Sequence, residues 1–405
     1  MKAPRVAFFT DSLHEVNGVA LTSREFVQFA QRTGREFLAV CAGPQDRMEQ
    51  QGSVRTIELG RSRAVLRLER DLSFDLLFYR YRAMLARQLE AFAPDLIHIT
   101  GPSHIGMLGA ILAHQFKVPL VASWHTNVHE FAGRRLEQKL QWLDHQTRHS
   151  LIHCAQNVAL SLSIRYYRLA RLLFAPNPEL VEMLACRTGR PVFLMHRGID
   201  TTLFSPERRR RTTSEFVIGF VGRLSPEKNV RLFARIEDNL RQAGVRDYRF
   251  LIVGDGSEKH WLQQNLKQAD LPGVLSGPRL AEAYAGMDAF VFPSETDTFG
   301  NVVLEAMASG VPVVVSNEGG PKFLVRSKVN GYIADGFQPF VDALMDLRTH
   351  SHSRQLLADG ARATAMSFSW DSVFEGIYER YSTILLPGEA SAQDTRSGAR
   401  RLITA

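Results

Sequence analysis

Short apolar runs separated by helix-length segments, in two successive sets, constrain this chain more than any other feature. In the first half the runs are Val6–Thr10, Phe37–Cys41, Leu96–Ile99 and Leu120–Ser123. Asp11-Ser12 follows the first and Gly43-Pro44 the second, both turn-prone. Strands covered on both faces are apolar throughout, and parallel neighbours must be joined by crossovers, usually helices such as the one expected over Phe78–Phe92. The pattern restarts with Phe216–Gly222, Phe250–Val253, Ala289–Pro293 and Val311–Val315. The expectation is an α/β protein with two Rossmann-like parallel-sheet domains facing across a cleft. At ~150 residues per domain, a chain of 405 residues has room for both. The boundaries expected are 1–195 for the first domain, 196–215 for a polar linker and 216–368 for the second. An amphipathic closing helix over 369–386 and a disordered tail over 387–405, rich in Ala, Ser, Gly and Arg, complete the chain. Ligands of such sheets bind at the carboxyl ends of the strands, so the cleft is the expected pocket.

Hydrophobic residues make up 45% and charged residues 22%, as in ordinary globular proteins. No run reaches the ~18 apolar residues of a membrane-spanning helix. Met1–Arg5 leads straight into a short strand, which predicts no signal peptide. The three cysteines, Cys41, Cys154 and Cys186, are scattered as reduced thiols are. Together these predict a cytoplasmic protein. The whole net charge of +7 falls in residues 1–195 and the remainder balances. That bias suits an anionic partner, or simply a solvated basic surface.

Chemistry-bearing residues concentrate in the second half. Asp297 follows the run ending at Pro293 and precedes Glu305 by eight positions. Asn301–Ser309 reads as a helix stopped by Gly310. Phe299, Gly300, Asn301 and Val302 would form its N-terminus, where free N–H groups and the positive dipole end suit a diphosphate. Gly300 removes the side chain where a phosphate would approach. Gly222 ends the first strand of this half, and Arg223 and Lys228 lie in the next loop, two cations able to neutralise a departing diphosphate. Gly254-Asp255-Gly256 and Gly277-Pro278-Arg279 occupy the two loops after that. In the first half, Asn17-Gly18 follows the first strand without completing a dinucleotide fingerprint. His125 stands just beyond the fourth apolar run. The pair His125 and His129 lacks the Glu of a zinc protease motif, His145, His149 and His153 share a stripe without an acidic or thiol partner, and Glu295-Thr296-Asp297 mimics a metal-binding acidic pair. No metal or other cofactor is expected.

Pro293–Pro321 resembles the acidic-x7-Glu motif of family-four retaining glycosyltransferases of the GT-B fold, among them bacterial mannosyl- and glucosyltransferases acting on lipids. Gly222–Asn229 is similar to that family's G-R-x-x-x-x-K segment. The likeness spans residues 5–386 and is stronger in the second half. It implies that Asp297 and the amides after it contact the donor sugar, that Glu305 holds the ribose, and that Arg223 and Lys228 grip the diphosphate. Many members carry Glu where this chain has Asp297. The resemblance puts Asn17 and Gly18 in a glycine loop near the phosphates, His125 near the reaction centre, and Gly254 and Arg279 around the base. It sends the closing helix back across the first domain. The implied donor is a nucleotide diphosphate sugar, GDP-mannose before UDP-glucose, and the implied acceptor a hydroxyl of a lipid or lipid-linked glycan. Gly133–His153, with Trp142, and Arg165–Arg171 could lie on an anionic membrane surface. Alternatives are a soluble acceptor, an epimerase or phosphorylase of similar architecture, and a sugar-nucleotide or nucleic-acid binding protein. Acids and cations gathered at one cleft argue against nucleic acid.

Overall fold

The computed structural model describes residues 3–385 apart from 12, 16, 68–72, 126, 128–139, 141, 143 and 211–213. Two compact units result, one from the chain up to His196 together with the segment from Trp370 onward, the other from Arg197–Ser369. The tail from 387, expected to be disordered, lies outside the described residues.

The first unit contains β1 (Val6–Thr10), β2 (Phe37–Gly43), β3 (Arg47–Gln51), β4 (Val54–Gly60), β5 (Val65–Arg67), β6 (Ser73–Asp75), β7 (Leu96–Ile99), β8 (Leu120–Ser123), β9 (Leu172–Ala175) and β10 (Val192–Leu194). Eight of them form one sheet in the order β10-β9-β8-β7-β1-β2-β4-β3. Pairing is parallel except at the edge, where β3 folds back on β4. The central strands β1, β2, β7 and β8 are wholly buried, which explains their unbroken apolar sequences. β1 pairs with β2 on one side and β7 on the other. Strand order therefore reverses at β1, and the carboxyl end of such a reversal is where an open α/β sheet leaves a crevice.

Helix Trp370–Leu385 completes this unit's core. Phe374 stacks on Phe26 with ring centres 4.5 Å apart, and Tyr378 and Tyr381 are buried beside it. The Tyr381 hydroxyl hydrogen-bonds His98 Nδ1, while the opposite ring nitrogen meets the Ser123 hydroxyl. Burial lowers the His98 pKa to about 3, so the ring is neutral.

The second unit contains β11 (Phe216–Val221), β12 (Tyr248–Val253), β13 (Ala269–Gly273), β14 (Ala289–Phe292), β15 (Val313–Ser316) and β16 (Gly331–Ala334). They form one sheet in the order β13-β12-β11-β14-β15-β16, with every pairing parallel. Phe220, Phe233, Phe250, Phe290 and Phe292 fill its interior. The order reverses between β11 and β14, so the loops after these two strands meet at the switch point.

The stretch expected as a linker is not free where described. Phe204 joins the second unit's core, and Arg362 donates to the carbonyls of Phe204 at 2.8 Å and Thr201 at 3.1 Å. Arg209 donates to the carbonyls of Ala285 and Met287 and to Asp288 at 2.8 Å. These guanidiniums give backbone carbonyls charged hydrogen-bond donors within the second unit.

Candidate active site

The loop after β11 holds Gly222, Arg223 and Lys228, and the loop after β14 holds Asp297. Lys228 Nζ donates to both carboxylate oxygens of Asp297, at 2.7 and 2.6 Å. Each side chain is about a fifth exposed, so the pair is screened far less than a surface one. Ser294 adds a second tie between the loops by donating to the Glu227 carbonyl at 3.3 Å. The two charged motifs, 69 residues apart in sequence, thus share one point at the sheet's switch point. Arg223 lies exposed on the same loop as Lys228.

Backbone packing holds this cradle. Leu224 donates to the Asp255 carbonyl at 2.9 Å, joining the loops after β11 and β12. A Cβ on Gly254, whose φ is +143°, would fall 1.9 Å from the Gly222 carbonyl oxygen. The glycine that the resemblance placed around the base is therefore required first by loop-on-loop contact. Gly319 and Gly320, at the end of the Pro293–Pro321 stretch, form the backstop. Gly320 N–H donates to the Asp297 carbonyl at 2.6 Å, and a Cβ there would lie 2.0 Å from the Thr298 carbonyl oxygen. Consecutive glycines before a proline were the visible signal, but only the fold shows what they pack against.

Gly300 has φ +93° and opens helix Asn301–Ala308 without a side-chain cap. A Cβ on it would meet Pro321 at 2.8 Å as well as strain the backbone. Asn301 and Val302 present the first backbone N–H groups of that helix. The Phe299 ring is buried, so only its backbone is available to a ligand. Glu305, one turn further on, accepts the Tyr284 hydroxyl at 2.7 Å. Burial raises its carboxyl to about 7, against the lowering effect of that hydrogen bond. Arg279 is exposed on helix Gly277–Ala285, and no described contact joins it to the Lys228–Asp297 pair.

In the first unit, Asn17 caps helix Gly18–Arg32, its side-chain oxygen accepting the Ala20 N–H at 2.8 Å. Its side chain is thereby engaged, and Gly18 is the helix's first residue. Arg24 braces the preceding loop by donating to the carbonyls of Leu13 at 2.8 Å and Glu15 at 3.1 Å. His125 lies buried just past β8, after Trp124, whose ring rests 5.0 Å from Tyr167. Thr126, His129 and residues 133–139, parts of motifs read from the sequence, lie outside the described residues. His149 and His153 rings are 6.5 Å apart on helix His145–Tyr167. In Arg165–Arg171 Tyr167 turns inward, its hydroxyl donating to the Ser123 carbonyl at 3.3 Å, while Arg165, Arg168, Leu169 and Arg171 are exposed.

Two parallel-sheet Rossmann-like units, one with its cation–acid pair and open helix end at the switch point, define the GT-B class of nucleotide-sugar enzymes. The family model for Glycosyltransferase Family 4 matches residues 16–203, and that for Glycosyl transferases group 1 matches residues 215–350. A GDP-mannose-dependent alpha-mannosyltransferase of Mycolicibacterium smegmatis is 32% identical over 400 residues, covering 94% of this chain and 98% of that one. A D-inositol 3-phosphate glycosyltransferase of Salinispora arenicola is 30% identical, covering 71% and 68%. Sucrose-phosphate synthase from Thermosynechococcus elongatus shares the fold with a TM-score of 0.71 at 17% identity, covering 94% of this chain and 99% of that one. HepE of Anabaena in complex with UDP does so with a TM-score of 0.64 at 18%, covering 94% and 100%. The chain belongs to the family-four glycosyltransferases and is a hexosyltransferase of that family. Among the described residues no helix is long and apolar enough to cross a membrane.

Proposed function

We propose that the chain transfers mannose from GDP-mannose, with retention of configuration, to a hydroxyl of a lipid or lipid-linked glycan. The Lys228–Asp297 pair carries this reading. It keeps an ammonium and a carboxylate together beside an uncapped helix N-terminus, the two charges a sugar diphosphate needs. On donor binding Lys228 turns to the diphosphate with Arg223, and Asp297 is released to accept from sugar hydroxyls. Asn301 and Val302 offer backbone N–H groups to the phosphates, with Gly222 and Gly300 keeping side chains out of the way. Glu305 in its ionised form accepts from the ribose hydroxyls, Gly254 and Arg279 border the base, and His125 serves the sugar's reaction centre. The leaving phosphate oxygen takes the acceptor's proton on the face it vacates. Fixed positive charge at the leaving group is worth most here, because charge develops there in the transition state. The mannosyltransferase relative, matched along nearly its whole length, supports the donor.

Helix His145–Tyr167 supports a membrane-facing acceptor, since Leu151, Val158 and Leu162 are exposed on it and Trp142 precedes it. The inositol-phosphate relative favours a second reading, a soluble phosphorylated polyol as acceptor. Thermal unfolding with GDP-, UDP- and ADP-sugars discriminates among donors. The cognate donor at one hundred times its Kd adds about 2.7 kcal/mol, and absence of any shift with GDP-mannose refutes the donor assignment. Salt-sensitive binding to anionic vesicles tests the membrane face, and a protein that ignores vesicles at low salt rejects it.

A further inference from the structure

A second group of chemistry-bearing residues gathers at the carboxyl edge of the first unit's sheet. Cys41 on β2 and Glu58 on β4 stand in register on adjacent parallel strands, so their side chains share a face. His14, on the loop after β1, reaches over them with Nε2 2.8 Å from a Glu58 carboxylate oxygen. One donor atom from each of the three residues lies within 4.8 Å of the other two. Gly43, two residues beyond Cys41, makes room for this, since a Cβ there would sit 2.8 Å from Glu58 Oε2.

Acids and cations both border this group: Arg24 donates to the carbonyls of Leu13 and Glu15, and Arg47 stands opposite Glu58 on β3. Asp11 and Glu15 flank His14 on the same loop, and Arg61 is the cation paired with Glu15, at 3.1 Å. Asp11 Oδ1 and Glu15 Oε2 are buried without a hydrogen-bond partner among the described residues. Such orphaned acceptors cost ~1–3 kcal/mol each, a cost that a nearby cation relieves. A carboxylate, an imidazole and a buried thiol thus meet at one point, with two orphaned carboxylate oxygens on the adjoining loop.

We propose that His14, Cys41 and Glu58 bind a divalent metal ion of zinc type. Thiolate, imidazole and carboxylate together are a donor set for zinc or cobalt, and the sulfur disfavours magnesium and calcium. Tetrahedral bonds of ~2.0–2.3 Å set ligand atoms roughly 3.3–3.7 Å apart, so the His14–Glu58 contact of 2.8 Å opens slightly to admit an ion. His14 is half exposed on a loop and can supply that movement, whereas Cys41 and Glu58 are held by the sheet. Glu15 or a water molecule takes the fourth position, and the Cys41 proton leaves to solvent as the sulfur–metal bond forms. The ion clips the loop after β1 to β2 and β4. This assignment is independent of the donor chemistry in the other unit.

The test uses full-length protein carrying Cys154→Ser and Cys186→Ser, stripped with chelator and titrated with cobalt(II). The expected result is a thiolate-to-cobalt charge-transfer band and intense tetrahedral d–d bands, saturating at about one equivalent, with zinc displacing cobalt. Cys41→Ser abolishes the band, and His14→Ala or Glu58→Gln weakens binding more than ~100-fold. His14 is on an exposed loop, so its variant remains informative even if Cys41→Ser fails to fold by circular dichroism. No charge-transfer band at saturating cobalt, a band that survives Cys41→Ser in folded protein, or unchanged affinity in His14→Ala overturns the proposal.

Discussion

The two units build the same kind of crevice by different means. In the second, the loops at the switch point lock through backbone: Gly320 against Thr298, Gly254 against Gly222, and a buried-edge ion pair across the gap. In the first, the loop after β1 is held by side chains, the Asn17 cap, Arg24 on two carbonyls and Arg61 on Glu15. Backbone contacts leave little freedom once made, while a side-chain brace can be remade at low cost. The contrast makes the second unit's loops the more rigid of the two sets.

Breaking the backbone lock gives the largest effect. Gly320→Ala forces a methyl against the Thr298 carbonyl and is expected to cost about 3 kcal/mol or more by urea unfolding, with donor turnover lost. By contrast, Arg24→Ala in the first unit is expected to cost no more than about 1–2 kcal/mol. Equal losses in the two would erase the distinction. Next come Lys228→Ala and Arg223→Ala, each expected to lower kcat by ~10²–10³ with less than about 1 kcal/mol change in stability. Near-normal turnover of both folded variants removes the proposed donor grip. Tyr381→Phe deprives His98 of a partner and is expected to cost about 1–3 kcal/mol without touching nucleotide affinity in the other unit.

The smallest effect concerns pH, and each unit offers one probe. Glu305 rises from 4.5 to about 7 on folding and Asp11 from 3.8 to about 7, both chiefly through burial and Asp11 also through Glu15. The folded chain therefore holds these protons more tightly than the unfolded one. Their contribution to stability is complete below the unfolded values and is lost as pH rises through about 7. Urea unfolding of Glu305→Gln and Asp11→Asn should depend less on pH between 5 and 8, a window of about three units around these groups, than the wild type. If Glu305 must be ionised to hold ribose, nucleotide affinity rises over the same interval in wild type and not in Glu305→Gln.

Much of the fold was legible because fully covered parallel strands are apolar in every residue, so β1, β2, β11, β14 and β15 stood out as runs. β3, the exposed hairpin edge, carries Arg47, Glu49 and Gln50 and had no such signal. The charged motifs were legible because each is contiguous, although their meeting depended on β11 and β14 being neighbours. What stayed hidden was long-range. Arg209 reads as a linker residue until Asp288, 79 positions on, is seen beside it. His98 reads as one histidine among 13 until Tyr381 arrives from the far end of the chain. His14, Cys41 and Glu58 follow no sequence spacing because register between strands brings them together.

Helix Trp370–Leu385 has a consequence for how the molecule is made. Phe374 and Tyr381 plug an interior whose other walls, Phe26 and His98, leave the ribosome hundreds of residues earlier. Arg197–Ser369 is contiguous and can finish folding while synthesis continues, whereas the amino-terminal unit waits, incompletely packed, for the final stretch of polypeptide. A nascent chain halted before residue 370 would thus expose aromatic surface at one end of its length and a settled body at the other.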